Sequence, residues 1–295
     1  MRRRFALLTL LCALGMAAPM FAQVAARQLH EATVAVRLKD GSLLVGLLVD
    51  QAPDSVRIVT SAGRMTLARS AIAELKVINP AEIHDGSYWP ADPHDTRLFF
   101  GPTGRTLAKG SGYFSDLYLF LINGAVGLTD RITLGAGMSV IPSSNFFGNN
   151  IYYLMPKVAL VRGESFNLAA GALVGFVPRS SGRANGSAGI YYLAATNGRA
   201  DASFTYGIGY SYFDSNVSGD ATLMLGGTVR VARRVSLMTE NYIFTGPGGG
   251  YWAPIYGVRF IGDRLSTDLG FVNFVGRGTT PFTPGLPWLG FALKF

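Results

Sequence analysis

Charge is scarce in this chain: 15% of its 295 residues are Asp, Glu, Lys or Arg, against roughly 25% in ordinary soluble domains. With 49% apolar residues beside that low charge, the bulk of the chain is not intrinsically disordered. Cysteine is all but absent, and the single Cys12 leaves no disulfide framework. Histidine occurs only as His30, His84 and His94. Long hydrophobic runs are missing too. Beyond residue 30 none reaches the roughly 18 apolar residues of a spanning helix, and the densest, 117–122, lies between Asp116 and Asn123. An α-helical membrane protein is not expected. What is abundant is glycine, 37 residues, with 19 Phe and 13 Tyr, so the hydrophobicity is spread thinly. That leaves a large all-β soluble protein or a transmembrane β-barrel.

The first residues narrow the compartment. Met1-Arg2-Arg3-Arg4, an apolar stretch at 5–18, Pro19 and a small residue at Ala22 read as a signal peptide over 1–22. Export is expected, and Cys12 falls inside the removed segment. Leu11 before it is not the small residue that lipoprotein processing prefers. Losing the three arginines lowers the net charge from +8 to +5. With no basic cluster either, nucleic acid is not an expected partner. Stability without disulfides has to come from core burial or from a closed barrel.

Residues 33–78 form short β segments at 34–38, 43–49, 56–60, 65–68 and 72–77, parted by Asp40-Gly41, Pro53-Asp54 and Ala62-Gly63. In strand order, and in the positions of Gly41, Gly46 and Gly63, this stretch resembles the Sm-like or SH3-like small barrels. The resemblance implies a small periplasmic β domain that docks on a partner or braces the rest of the chain; the RNA binding common in Sm-like proteins does not suit an exported chain. Residues 79–95, with Pro80, Gly86, Pro90 and Pro93, read as a linker.

From 96 to 295 a period of two takes over. In 202–212, Ala202, Phe204, Tyr206, Ile208, Tyr210 and Tyr212 share one face while Ser203, Thr205, Gly207, Gly209 and Ser211 share the other. Segments 132–140 and 222–231 repeat the pattern. Such lengths suit a tilted membrane strand of about 9–11 residues rather than a globular strand of five or six. Tight polar turns near 130, 163, 198, 233 and 263 alternate with longer connections at 143–150, 179–186, 214–220, 246–250 and 277–286. An outer-membrane barrel has short periplasmic turns and long outer loops in this way. Twelve strands are expected: 97–102, 112–127, 131–142, 151–162, 165–178, 187–197, 201–213, 221–232, 235–245, 251–261, 265–276 and 287–295. An even number places both barrel ends on the periplasmic side. The expected fold is thus all-β, an antiparallel transmembrane barrel preceded by a small β domain.

At the C-terminus Leu289, Phe291, Leu293 and Phe295 alternate with Gly290, Ala292 and Lys294. This pattern resembles the C-terminal assembly strand of Gram-negative outer-membrane proteins, and the resemblance implies recognition by the barrel assembly machinery. The run from Leu98 through Gly101-Pro102-Thr103-Gly104-Arg105, with Lys109–Tyr113 and Gly127–Asp130, is also similar to a group of outer-membrane barrel proteins with which no activity comes.

Catalysis is not expected. Barrel-borne phospholipase, omptin-type protease and lipid A deacylase sites rely on a histidine, and all three histidines precede the first expected strand; His94 could reach the barrel only from its periplasmic end. Asp214 and Asp220 read as solvated loop residues. No metal or cofactor is expected, because the mature chain lacks Cys and His-x-x-x-His spacing, and Gly246–Gly250 lacks a following Lys-Ser/Thr. One constellation stands out in the wall. Lys157, Arg230, Glu240, Arg259 and Asp268 sit opposite the large apolar residues of their strands, and Arg or Lys facing lipid near the midplane costs about 2–4 kcal/mol. All five are expected to face the lumen, with Arg230, Glu240, Arg259 and Asp268, on four consecutive strands, as a belt of alternating charge in the periplasmic half. The belt either fills the barrel as a salt-bridge network or forms a constriction for a solute. Two functions follow: a passive pore, or a plugged structural or docking protein of the outer membrane. The expected partners are membrane lipid, the assembly machinery and a periplasmic partner for the N-terminal domain.

Overall fold

The computed structural model describes residues 32–84, 87–178, 186–199, 201–214, 216–246, 250–276, 278 and 282–295. The expected signal peptide at 1–22, with Cys12, and also His30, lie outside the described residues, as do parts of the loops expected at 179–186, 246–250 and 277–286. The chain divides into two compact units at Trp89/Pro90.

The first unit is a five-stranded antiparallel sheet: β1 (Thr33–Leu38), β2 (Leu43–Gln51), β3 (Ser55–Thr60), β4 (Gly63–Ala68) and β5 (Ile72–Val77), in the order β4-β3-β2-β1-β5. Its turns follow local chemistry. Between β1 and β2 the Asp40 carboxylate accepts from Ser42 N at 2.8 Å, while Gly41 takes φ +89°, where a side chain would be strained. Alternation sends Val34 and Val36 to one face, into a core with Leu48, Val56 and Ile58. Ala35, on the other face, packs with Ile78 and Tyr88. Tyr88 belongs to a ribbon of β6 (Ile83–His84) and β7 (Ser87–Tyr88). Part of the stretch read as a linker therefore covers the second face of the sheet.

The second unit is a closed barrel of twelve antiparallel strands. They are β8 (Gly112–Leu117), β9 (Leu121–Gly127), β10 (Ile132–Ser139), β11 (Tyr152–Arg162), β12 (Phe166–Val177), β13 (Gly186–Gly198), β14 (Ala202–Phe213), β15 (Asn216–Ala232), β16 (Val235–Phe244), β17 (Tyr251–Ile261), β18 (Leu265–Val272) and β19 (Leu286–Lys294). Each pairs with its sequence neighbour, and β19 closes on β8 with Lys294 opposite Tyr113. Beyond that pair, Gly112 and Phe295 exchange backbone hydrogen bonds of 3.0 and 2.9 Å.

The number twelve agrees with the sequence reading, but its membership differs. Segment 97–102 is not a wall strand, and 112–127 is two strands. Tyr118 and Leu119 make the turn between those two at φ +58° and +62°, a conformation usually given to Gly or Asn, so the turn has no sequence signal. The expected loop at 214–220 also shortens, since β15 begins at Asn216.

The wall obeys the two-residue period. Leu134, Leu154, Phe204, Leu225, Leu237 and Leu269 point outward and are exposed. Thr133, Ala169, Thr196, Thr205 and Ser236 point inward and are buried. Two polar residues on the outward face, Thr239 and Asn241, are hydrogen-bonded. Thr239 donates to the Ile255 carbonyl at 3.2 Å, and Asn241 donates to the Leu225 carbonyl and accepts from Trp252 Nε1, both at 3.1 Å. An outward apolar face around a closed backbone is what a bilayer demands, since no strand edge is left unpaired.

Candidate functional site

The inside of the barrel is occupied by its own chain. Residues 90–111, between the first unit and β8, run into the lumen as a hairpin. Arg97 and Pro102 form an antiparallel bridge, Leu98 N donates to Gly101 O at 2.9 Å, and Thr103 N donates to Thr96 O at 3.1 Å. Pro90 lies against Arg230 near the 233–234 turn, and Lys109 N meets the Asp130 carboxylate at 3.0 Å beside the 128–131 turn. The segment thus enters and leaves at the short-turn end, with Leu98-Phe99-Phe100-Gly101 as its tip. Segment 97–102 is lumenal because a chain that reverses at Phe99-Phe100, with Arg97 bridged to Pro102, is too short to span, and Pro102 has no N–H for a ladder. His94, expected to precede the barrel and to reach it only from the periplasmic end, lies in this hairpin, which enters at the short-turn end.

All five inward charges named from the sequence are buried and hold the segment or one of its clamps. Lys157 Nζ donates to Thr96 O at 2.9 Å. Arg230 donates to Pro90 O and, at 2.9 Å, to Arg233 O. Glu240 accepts from Phe100 N and Gly101 N, each at 3.0 Å. Arg259 is the hub. It forks onto Asp268 at 2.6 and 2.9 Å, meets the Asp92 carboxylate at 2.9 Å, and donates to the carbonyls of His94 at 3.1 Å and Leu98 at 2.8 Å. Asp268 also faces Arg97 at 3.5 Å. Two cations and two carboxylates balance in this cluster, the condition under which charge survives burial.

The belt is not a single row. Arg230 is in register with Ser236, Ser236 with Arg259, and Arg259 with Asp268. Glu240 sits four residues farther along β16, level with the segment's tip. Arg230 and Glu240 are not partners of each other; each holds a different part of the hairpin.

Wall residues with no distinctive sequence signal share the task. Thr196 accepts from Gly104 N at 2.8 Å and bonds Thr205 at 2.8 Å, and Thr133 accepts from Leu107 N at 3.0 Å. Arg105 donates to Gly198 O at 2.9 Å. A Cβ on Gly104 would collide with the Asn167 carbonyl, and one on Gly127 with the Ala108 carbonyl. At the tip, Leu98 and Phe99 join Leu117, Met238, Ile255, Val272 and Trp288 in one core, with the Phe99 and Trp288 rings edge-on at 5.8 Å.

Burial would raise Asp92, but the Arg259 guanidinium beside it outweighs this and holds its carboxyl below the usual range. His94 is fully buried, edge-on to Tyr113 at 5.4 Å, and neither ring nitrogen has a hydrogen-bond partner. Burial, then the cations Arg97 and Arg259, push it down to about 4. A neutral imidazole sealed in this way does not serve a nucleophile. Among the described residues no three His, Cys, Asp or Glu side chains gather as a metal site.

No protein-family model and no curated protein matches the chain. Among solved structures the chain is similar to OmpT, an outer-membrane protein of Vibrio cholerae, at 12% identity over 90% of this chain and 95% of that one, with a TM-score of 0.37. It is similar also to a loop L8 deletion mutant of the same OmpT, at 13% identity over 90% and 96%, TM-score 0.37. A third likeness is to Salmonella typhi OmpF in complex with daunomycin, at 9% identity over 90% and 95%, TM-score 0.33. No function follows from these likenesses; the twelve-stranded closed barrel stands on its own strand pairing.

Proposed function

We propose that the protein is an integral outer-membrane barrel whose lumen is closed by its own 90–111 segment, serving the cell envelope as a non-conducting structural or docking protein. One observation carries this reading: the five inward charges are engaged with that segment or its clamps instead of lining an open constriction. In this reading the short-turn end is periplasmic, following the habit of such barrels, and the five-stranded unit is a periplasmic domain that meets a partner. Leu289, Phe291 and Leu293 point outward on the closing strand, followed by Phe295, a placement that supports their role as the signal read by the assembly machinery. Enzymatic activity is not part of the reading, because the barrel's histidine is sealed away from any substrate.

Twelve strands alone would permit a passive pore, since the number lies between filled eight-stranded barrels and open porins. Single-channel recording separates the two. The full chain in planar bilayers is expected to give no steady conductance, while Glu240→Gln combined with Arg259→Met, which releases the tip and the hub, gives intermittent openings. Steady conductance from the unaltered protein would establish the pore and end the plugged reading. Extraction without detergent, together with no heat-dependent shift in gel mobility, would remove the membrane barrel itself.

A further inference from the structure

We infer that the lumen contains a binding site for a neutral, apolar small molecule, in the cavity between the tip of the 90–111 segment and the wall from β11 to β16. The cavity measures about 360 Å³, at the lower end of the roughly 300–1,000 Å³ typical of ligand sites. Phe100 of the tip and Met155, Leu173, Ile190, Tyr192 and Met224 of the wall line it. It exists because the tip is held to one side. Leu98 and Phe99 pack against β8, β16, β17, β18 and β19, while the β11–β15 flank is held only lower down, where Lys157 binds Thr96 and Thr196 binds Gly104, and a space is left between that flank and Phe100 of the tip. On that flank Gly207 and Gly209 of β14 contribute no side chain to the space.

An apolar cavity gives water few hydrogen-bond partners, so an apolar occupant displaces poorly held water and gains by burial. Two methionines in the lining adapt to an occupant's shape at little penalty. Neutrality follows from the cations at the floor. Lys157 is bound to the Thr96 carbonyl at 2.9 Å. The Arg97 Nη1 is bound to the carbonyls of Leu98 at 3.3 Å and Phe99 at 2.6 Å, and faces Asp268 at 3.5 Å. Arg97 Nε has no partner but is buried beneath the surface. A carboxylate or sulfonate would be desolvated there without an accessible unengaged cation to receive it. The occupant is therefore of the size of a naphthyl compound or a medium-length alkyl chain, and it is uncharged.

The test uses the full chain in lipid nanodiscs with N-phenyl-1-naphthylamine as probe and empty nanodiscs as blank. A saturable fluorescence component is expected, with one site per barrel. Ile190→Trp and Thr222→Trp, which fill the cavity from two strands, each weaken it at least tenfold while the heat-dependent gel shift persists. If a tryptophan variant loses that shift, Ile190→Phe takes its place and weakens binding by a smaller factor. The sulfonated analogue 8-anilino-1-naphthalenesulfonate binds at least tenfold more weakly than the neutral probe. No saturable component above the blank, or unchanged binding in folded cavity-filled variants, overturns the site; equal binding of the sulfonate overturns its neutrality.

Discussion

Arg259 carries more of the lumenal architecture than any other side chain, because one guanidinium ties a wall carboxylate, a hairpin carboxylate and hairpin carbonyls together. Removing one member of such a buried set costs about 3–5 kcal/mol, since the remaining charges stay buried without compensation. Arg259→Met is therefore expected to loosen the segment while the wall persists. In a Thr103→Cys background, where Cys12 is the only native cysteine, labelling by a water-soluble maleimide should rise by about a hundredfold or more; unchanged labelling would show that the hub does not hold the hairpin. His94 gives a second expectation. Its value falls from 6.5 to about 4 in the folded chain, so the loosened state binds the proton more readily between those limits. The stabilisation is complete above pH 6.5 and is lost as pH falls toward 4. The groups facing the ring are Arg97, Arg259, Asp92, Asp268 and Tyr113, and a protonated His94 adds a third cation to a balanced cluster. Labelling of the same introduced thiol should climb as pH drops through that window, and His94→Phe should flatten the profile. At this scale the sequence was partly legible. The penalty for a charge against lipid determines which face Lys157, Arg230, Glu240, Arg259 and Asp268 take. Parity says nothing about what a side chain meets across the lumen, and threonines such as Thr133 and Thr196 look like filler until the hairpin is in place.

Wall strands are legible because one face must be apolar and the other small or polar, and β10, β14 and β15 follow that rule closely. Elements without that constraint were not. The β8–β9 turn uses Tyr118 and Leu119 where a turn signal would have been Gly or Asn, and Leu98-Phe99-Phe100 imitates a strand because a hairpin tip inside a barrel also needs apolar contacts. Gly104 approaches the carbonyls of Asn167 and Ala194, so Gly104→Ala should cost about 1–3 kcal/mol by overpacking and raise protease cleavage within 90–111. Gly219→Ala, with nothing within 4 Å of its added carbon, should leave cleavage as it was. On the outer face, Leu134→Arg, on β10 opposite Pro156 near the middle of β11, should lower stability in phosphatidylcholine vesicles by about 2–4 kcal/mol. A negligible effect measured by urea-dependent refolding would mean that Leu134 does not meet lipid.

For the molecule as a whole, the parity of the strand number and the placement of both barrel termini at the short-turn end were legible, while the use of the intervening chain as a lumenal insert was not. One further property follows from the unequal strands. β12 to β15 run 12, 13, 12 and 17 residues, whereas β8 and β9 have 6 and 7, and at the tip of the low hairpin Leu119 and Phe120 are exposed. A strand needs about 9–11 residues to cross the hydrocarbon layer, so one flank overreaches the bilayer and the opposite flank falls short. Lipid beside β8 and β9 is expected to dip around Leu119 and Phe120, at a fraction of a kcal/mol per ångström. The barrel is consequently expected to have a front and a back in the plane of the membrane, with short-chain lipids enriched at its low side.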